Sequence, residues 1–135
     1  MTFPELPENA RVAGIGIDLI EVDRITRALD RQGDRFRNRV FTAGELAYCD
    51  GMKVPGPHFA ARFAAKEAVS KAFGTGIGGQ LGWKSTEVLR DPRGQPLVRL
   101  DEAGREMLRK IRASDVLLSL AHTRQHATAV AILVR

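Results

Sequence analysis

The sequence predicts an α+β domain in which one long alanine-faced helix packs on a small, mainly antiparallel sheet. The first observation is an apolar strand at residues 12–20 that has glycines at alternate positions. The second is the helical stretch 58–73, whose alanines merge into one broad face at about 100° per residue. The third is a set of later apolar segments separated by short turns, which is typical of hairpins: 84–90, 95–100, 116–122 and 127–134.

Length and composition indicate one domain, with residues 1–11 as an N-terminal arm and 12–135 as the folded part. The sequence has no apolar run long enough to span a bilayer, and its first residues lack the pattern of a secretory signal. The single cysteine, Cys49, excludes an internal disulfide. These features favour a cytoplasmic protein. The net charge of +5 suits a polyanionic partner, and nucleic acid, a nucleotide and an acidic protein all remain open.

The first strand places Ile15, Ile17 and Leu19 on one face, and two glycines with Asp18 on the other. Glycine inside a strand often marks the close approach of another backbone or a ligand. An acid in so apolar a strand would be unfavourable if it were buried without a partner. Asp18 is therefore a candidate functional residue, and the alternative is that it caps the next helix.

Residues 21–32 are predicted to form a helix that ends at Gly33. Arg24, Arg27 and Arg31 form a basic stripe on its outer side, and the alternative is an ordinary solvated face. Residues 35–41 are interpreted as a connector. Thr42 and Glu45 fit a capping box before a short helix, and residues 50–57, with two glycines and two prolines, are interpreted as a loop.

The alanine-faced helix is predicted to begin at His58. Glu67 lies at the edge of its alanine face, with Lys71 one turn later on the same side. Arg62 and Lys66 form a second pair one turn apart, on another side of the helix. The alternative is a surface helix with ordinary charge pairs. Beyond it, Asp101 is predicted to cap a helix that runs to about residue 110, and the tip of the last hairpin begins with His122.

Asp18 and Glu67 stand on different elements that glycines and alanines allow to approach closely. Two carboxylates, completed by phosphate oxygens and water, make the octahedral oxygen site that Mg²⁺ prefers. Arg62, Lys66 and Lys71 would suit a pyrophosphate. The residues therefore predict a Mg²⁺-assisted site for a phosphorylated ligand.

Three segments carry a resemblance to a known family: GIGIDLIEVDRI at 14–25, RFAAKEAVSK at 62–71 and LSLAH at 118–122. They resemble the short type of 4′-phosphopantetheinyl transferase, the holo-[acyl-carrier-protein] synthases. The resemblance implies transfer of phosphopantetheine from coenzyme A to a serine of apo acyl carrier protein, in support of fatty acid biosynthesis. It also implies a homotrimer with active sites between subunits, and neither nucleic acid nor a membrane as partner.

The resemblance also assigns roles to single residues. Asp18 and Glu67 match the family's Mg²⁺ ligands, and Lys71 matches a lysine that assists proton transfer. The residues that match coenzyme A phosphate contacts are Arg62, Lys66, His122 and Thr123, and the carrier-protein docking surface matches Arg24, Arg27 and Arg31. Two alternatives stay open: a transferase that acts on carrier domains of other synthases, and a non-catalytic basic module that binds nucleotides or RNA.

Overall fold

The computed structural model describes residues 6–135, which form a three-stranded antiparallel sheet and a two-stranded ribbon with helices around them. The strand order of the larger sheet is β1-β5-β4, and β2 pairs with β3. In chain order the elements are β1 (Val12–Glu21), α1 (Val22–Gln32), α2 (Asp34–Val40), α3 (Ala43–Asp50), α4 (Pro55–Phe73), a 3₁₀ turn (Trp83–Ser85), β2 (Thr86–Arg90), β3 (Pro96–Leu100), α5 (Glu102–Lys110), β4 (Asp115–His122) and β5 (His126–Val134).

Helix α4 lies directly on β1, and the two glycines of the strand make this approach possible. A Cβ atom on Gly16 would lie 1.9 Å from the carbonyl oxygen of Ala68, and one on Gly14 would lie 2.3 Å from that of Ala72. Both distances are far inside van der Waals contact, so only glycine fits at either position. The small side chains of α4 that this packing buries are Ala60, Ala61, Ala64, Ala65 and Ala68.

The alternation predicted along β1 is confirmed. Gly16 is buried under α4 and Ile20 is buried in the core, whereas Ile15, Ile17 and Leu19 are 62–68% exposed on the opposite face. This face of the sheet is therefore apolar and uncovered in the protomer. None of the helices within residues 6–135 is long and apolar enough to cross a membrane.

The predicted helix ends are also confirmed where a cap marks them. The Thr42 side chain accepts from the Glu45 amide while the Glu45 carboxylate accepts from the Thr42 amide, which is a complete capping box. Asp101 accepts from the Gly104 amide at 2.9 Å and begins α5. Gly33 ends α1 with a φ of 55°, a conformation that favours glycine.

Two predictions from local composition were wrong. Residues predicted to form a connector between 35 and 41 lie in a helix, α2, which packs Val40 into the core. The long helix begins at Pro55 and not at His58, so two prolines and a glycine interpreted as a loop form its first turn. Proline is compatible with a first turn because the amides there have no partner within the helix.

Candidate active site

Asp18 and Lys71 meet where β1 passes under α4. The Lys71 ammonium donates to Asp18 Oδ1 at 3.0 Å and to the Ile17 carbonyl oxygen at 3.1 Å. The Asp18 side chain is 16% exposed and that of Lys71 is 51% exposed, so the pair lies at the edge of the helix–sheet junction. A ligand from solvent can therefore reach the carboxylate without opening the core.

Glu67 lies one helical turn before Lys71 and faces the same region. Burial raises the pKa of Glu67, the negative charge of Asp18 raises it further, and the cations Lys71 and Arg24 act in the opposite direction. The two carboxylates are thus close enough to repel each other. A carboxylate with a raised pKa is a better proton acceptor at neutral pH than an ordinary glutamate, which suits general-base chemistry.

The donor set of this junction fits a hard divalent cation. Within residues 6–135, no group of three or more His, Cys, Asp and Glu side chains is placed to hold a metal ion. Asp18 and Glu67 supply two carboxylates, and Mg²⁺ is usually bound in proteins by one or two carboxylates together with phosphate oxygens and water. The residues present therefore suit a metal that is shared with a phosphorylated ligand.

Lys66 lies in the core, whereas the sequence predicts that it contacts a phosphate of the ligand. Its ammonium pairs with Glu45 Oε1 at 2.8 Å and donates to the carbonyl oxygens of Trp83 at 3.0 Å and Thr86 at 2.6 Å. Both side chains of the pair have no exposed surface. Three partners satisfy the three donors of the ammonium, and this placement argues against direct contact with a phosphate.

Arg62 is also buried, with 1% of its surface exposed. It donates to the His58 carbonyl oxygen at 3.3 Å, and its guanidinium lies 4.0 Å from the centre of the Tyr48 ring. Residues 66 and 67 are about 100° apart around a helix. Arg62 and Lys66 contact α3 through Tyr48 and Glu45, whereas Lys71 contacts β1 through Asp18. Of the three cations expected around the carboxylates, Lys71 is therefore the one that lies beside them, and Arg24 of α1, which was expected only to dock the carrier protein, also acts on Glu67.

Sequence reasoning missed the core role of Glu45, which it had interpreted only as part of a capping box. One oxygen of Glu45 accepts from the Thr42 amide at 2.9 Å and the other from the Val88 amide at 2.9 Å. The same carboxylate neutralises Lys66. The sequence signal for this role was Lys66, which lies next to the alanine face of α4. A cation that is buried there requires a carboxylate partner.

His122 and Thr123 lie at the exposed end of β4. The Thr123 hydroxyl accepts from the His126 amide at 3.1 Å, which closes the tight turn into β5. The ring of His122 packs against that of His58, with 5.0 Å between the ring centres. The hairpin tip thus presents a histidine and a threonine to solvent.

The predicted basic stripe is exposed on α1. Arg24, Arg27 and Arg31 line one shallow groove together with Glu21 and Asp23. Arg27 is paired with Asp23 at 3.2 Å, but the two side chains are 70% and 76% exposed. Exposed pairs of this kind are weak, so the arginines can exchange Asp23 for another acidic partner.

Comparison with known proteins assigns the family of this chain. The family model of the 4′-phosphopantetheinyl transferase superfamily matches residues 14–131. The chain belongs to this superfamily. The match includes Asp18, Glu67, Lys71 and the hairpin tip, and therefore the whole junction described above.

Named relatives within the superfamily agree. The holo-[acyl-carrier-protein] synthase of Chlamydia trachomatis serovar D is 52% identical over 119 residues, which are 88% of this chain and 97% of the relative. The crystal structure of the synthase from Neisseria meningitidis superposes with a TM-score of 0.84 at 32% identity, covering 91% of this chain and 98% of that one. The Helicobacter pylori synthase in complex with coenzyme A superposes at 0.79 and 28% identity, covering 88% and 98%.

Proposed function

We propose that this chain is a holo-[acyl-carrier-protein] synthase. It transfers the 4′-phosphopantetheine arm of coenzyme A to a serine of apo acyl carrier protein and releases adenosine 3′,5′-bisphosphate. The observation that carries the proposal is the meeting of Asp18, Glu67 and Lys71 at one solvent-accessible junction. The names of the relatives and the coenzyme A complex of one of them support the same substrate.

Asp18 and Glu67 would hold Mg²⁺, which when bound neutralises charge on the pyrophosphate of coenzyme A. Glu67, at the same junction, would accept the proton of the attacking serine. Lys71, half exposed beside Asp18, donates a hydrogen bond or a proton to the departing phosphate. His122 and Thr123 at the hairpin tip contact phosphates of coenzyme A. Arg62 and Lys66 are left out of these contacts because both are buried.

The exposed arginines of α1 would dock the acidic carrier protein. Arg24 also lies within electrostatic reach of Glu67, so a partner bound on this stripe is adjacent to the reacting groups. Reversal of Arg24 and Arg27 to Glu should raise KM for the carrier protein about tenfold or more and flatten its salt dependence, since rim charges act mainly on encounter. An unchanged KM would count against this docking surface.

We also propose that the protein works as a homotrimer with active sites between subunits. The uncovered face of β1, where Ile15, Ile17 and Leu19 are more than 60% exposed, supports an interface between copies. Coenzyme A metabolism in support of fatty acid biosynthesis would place the enzyme in the cytoplasm. Sedimentation equilibrium tests the oligomer, and a monomer at micromolar concentration would refute it.

The transfer itself is tested by weighing the carrier protein after incubation with the enzyme, coenzyme A and Mg²⁺. A gain of about 340 Da, one phosphopantetheine arm, is expected. Asp18→Asn and Glu67→Gln should each slow the gain by about 100-fold or more, since preorganised charge stabilisation has that magnitude. Asp34→Asn, at a side chain that is 94% exposed on α2, is the matched control and should be unaffected.

Other results would refute the proposal. Full activity of either carboxamide variant would reject the site. An unchanged carrier mass, together with Mg²⁺-independent RNA binding, would favour a non-catalytic basic module. Modification only of carrier domains from other synthases would change the substrate but keep the chemistry.

A further inference from the structure

His58, in the first turns of α4, joins three elements beside the hairpin tip. Its ring packs edge-to-face on that of His122, with 5.0 Å between centres and 65° between planes. On its other side lies Tyr48, at 6.0 Å and 73°. The three rings come from α4, β4 and α3, so His58 connects the long helix to the end of β4.

The surroundings of His58 favour a neutral ring. Burial lowers the pKa of His58, and the nearby positive charges of His122, Arg62 and Arg90 lower it further. Its Nδ1 is buried and has no hydrogen-bond partner among residues 6–135. The contribution of this side chain is therefore its aromatic surface, which packs best in the edge-to-face geometry observed here.

His122 is in the opposite situation. It is the last residue of β4, it is exposed, and the hydrogen bonds found across residues 6–135 do not use its ring nitrogens. An exposed histidine side chain that nothing restrains adopts several rotamers, and binding a ligand would then cost the entropy of fixing one of them. In this structure the ring of His122 packs against that of His58, and this contact restricts its rotation.

We propose that His58 is a positioning residue that holds the imidazole of His122 toward the phosphates of coenzyme A. The inference rests on the proposed function, in which His122 contacts those phosphates. His58 acts through His122 and does not itself bind the ligand. The effect of losing it should appear in coenzyme A binding, and the rate of transfer at saturation should change little.

The test compares His58→Ala with His58→Phe, which keeps an aromatic ring but has no titrating group. His126→Ala is the matched control, because His126 is also exposed on this hairpin and its side chain has no role in the proposal. For His58→Ala we expect KM and the calorimetric Kd for coenzyme A to rise about three- to tenfold, the range of one aromatic pair. His58→Phe should restore both values to within twofold of wild type, with kcat similar in all four proteins.

A second readout separates positioning from general stability. The ring resonances of His122, followed by NMR with labelled histidine in the absence of ligand, should stay those of one ordered conformer in His58→Phe. In His58→Ala they should move toward the averaged values of a free side chain. Because this measurement uses no coenzyme A, it tests whether His58 orders the His122 ring even if wild type fails to bind coenzyme A and the proposed function is wrong.

Two results would overturn the inference. One is a His58→Ala protein whose affinity for coenzyme A and whose His122 resonances match wild type. The other is a His58→Phe protein that is as impaired as His58→Ala, which would show that a nitrogen of His58 and not its ring is required.

Discussion

Replacing Gly16 by alanine tests how closely the active site depends on the contact between β1 and α4. The added Cβ would lie 1.9 Å from the Ala68 carbonyl oxygen and 2.6 Å from the Ala72 amide nitrogen. Ordinary contact begins at 3.4 Å, so strand and helix must separate by the difference, about 1.5 Å. Both obstructing atoms are backbone, and no side-chain rotation can relieve the overlap.

The expected loss of stability lies at or beyond the upper end of the overpacking range, about 3 kcal/mol. For a domain of this size that corresponds to a fall in Tm of roughly 10 °C. Activity should fall further than stability, because Asp18 lies two residues after Gly16 on β1 while Glu67 and Lys71 flank Ala68 on α4. A shift of about 1 Å in catalytic geometry can reduce the rate about 100-fold.

The assays are urea unfolding for the free energy and carrier-protein mass gain at a temperature where every variant is folded. Gly82→Ala is the matched control: its φ of −88° suits any residue, and the nearest atom to its Cβ would be Ser85 Oγ at 3.9 Å. If Gly16→Ala unfolds within 0.5 kcal/mol of this control, about the scatter of ordinary surface substitutions, and transfers at the wild-type rate, the close-packing argument is wrong.

Three further predictions follow from the buried Lys66 and Cys49 and the partly buried His58. Lys66→Met leaves Glu45 charged and unpaired in the core and should lower the free energy of unfolding by about 3–5 kcal/mol; the double variant with Glu45→Leu should recover part of this loss in the same urea titration. The lowered pKa of His58 means that the unfolded state binds its proton more readily, so stability should decline as pH falls below about 6.5. His58→Phe should flatten that decline in Tm measured from pH 8 to pH 5, and an equal slope would contradict it. Burial raises the pKa of the Cys49 thiol to about 11, so iodoacetamide should modify it slowly at pH 8 in native protein and rapidly in urea.

Patterns that depend on near neighbours in the chain were read correctly from the sequence. The alternation along β1, the capping box at Thr42, and the ends of α1 and α5 each follow from the conformational preference of one or two residues. Glycine inside an apolar strand also indicated the close approach of another backbone or a ligand, and at Gly16 it is the backbone of α4. These are properties of short segments, and the rest of the fold does not reverse them.

The two wrong secondary-structure predictions rested on residue composition, which does not determine the backbone conformation of a segment. Prolines at 55 and 57 predicted a loop, yet a first helical turn tolerates them as well as a loop does. The polar residues of α2 have too little periodicity to reveal a helix that is held mainly by Phe36 and Val40 packing inward. Neither ambiguity can be resolved from the segment alone.

The acidic pair was the strongest functional prediction, and the structure brings Asp18, Glu67 and Lys71 to one junction. Spacing along α4 could place Arg62 and Lys66 on a different side of the helix from Glu67, but it could not say whether that side faced solvent or protein. That depends on α3, which brings the Glu45 carboxylate against Lys66. Residue types and local periodicity thus specify which groups share a face, whereas the packing of distant segments decides which faces are buried, because burial is a property of the neighbours that long-range contacts supply.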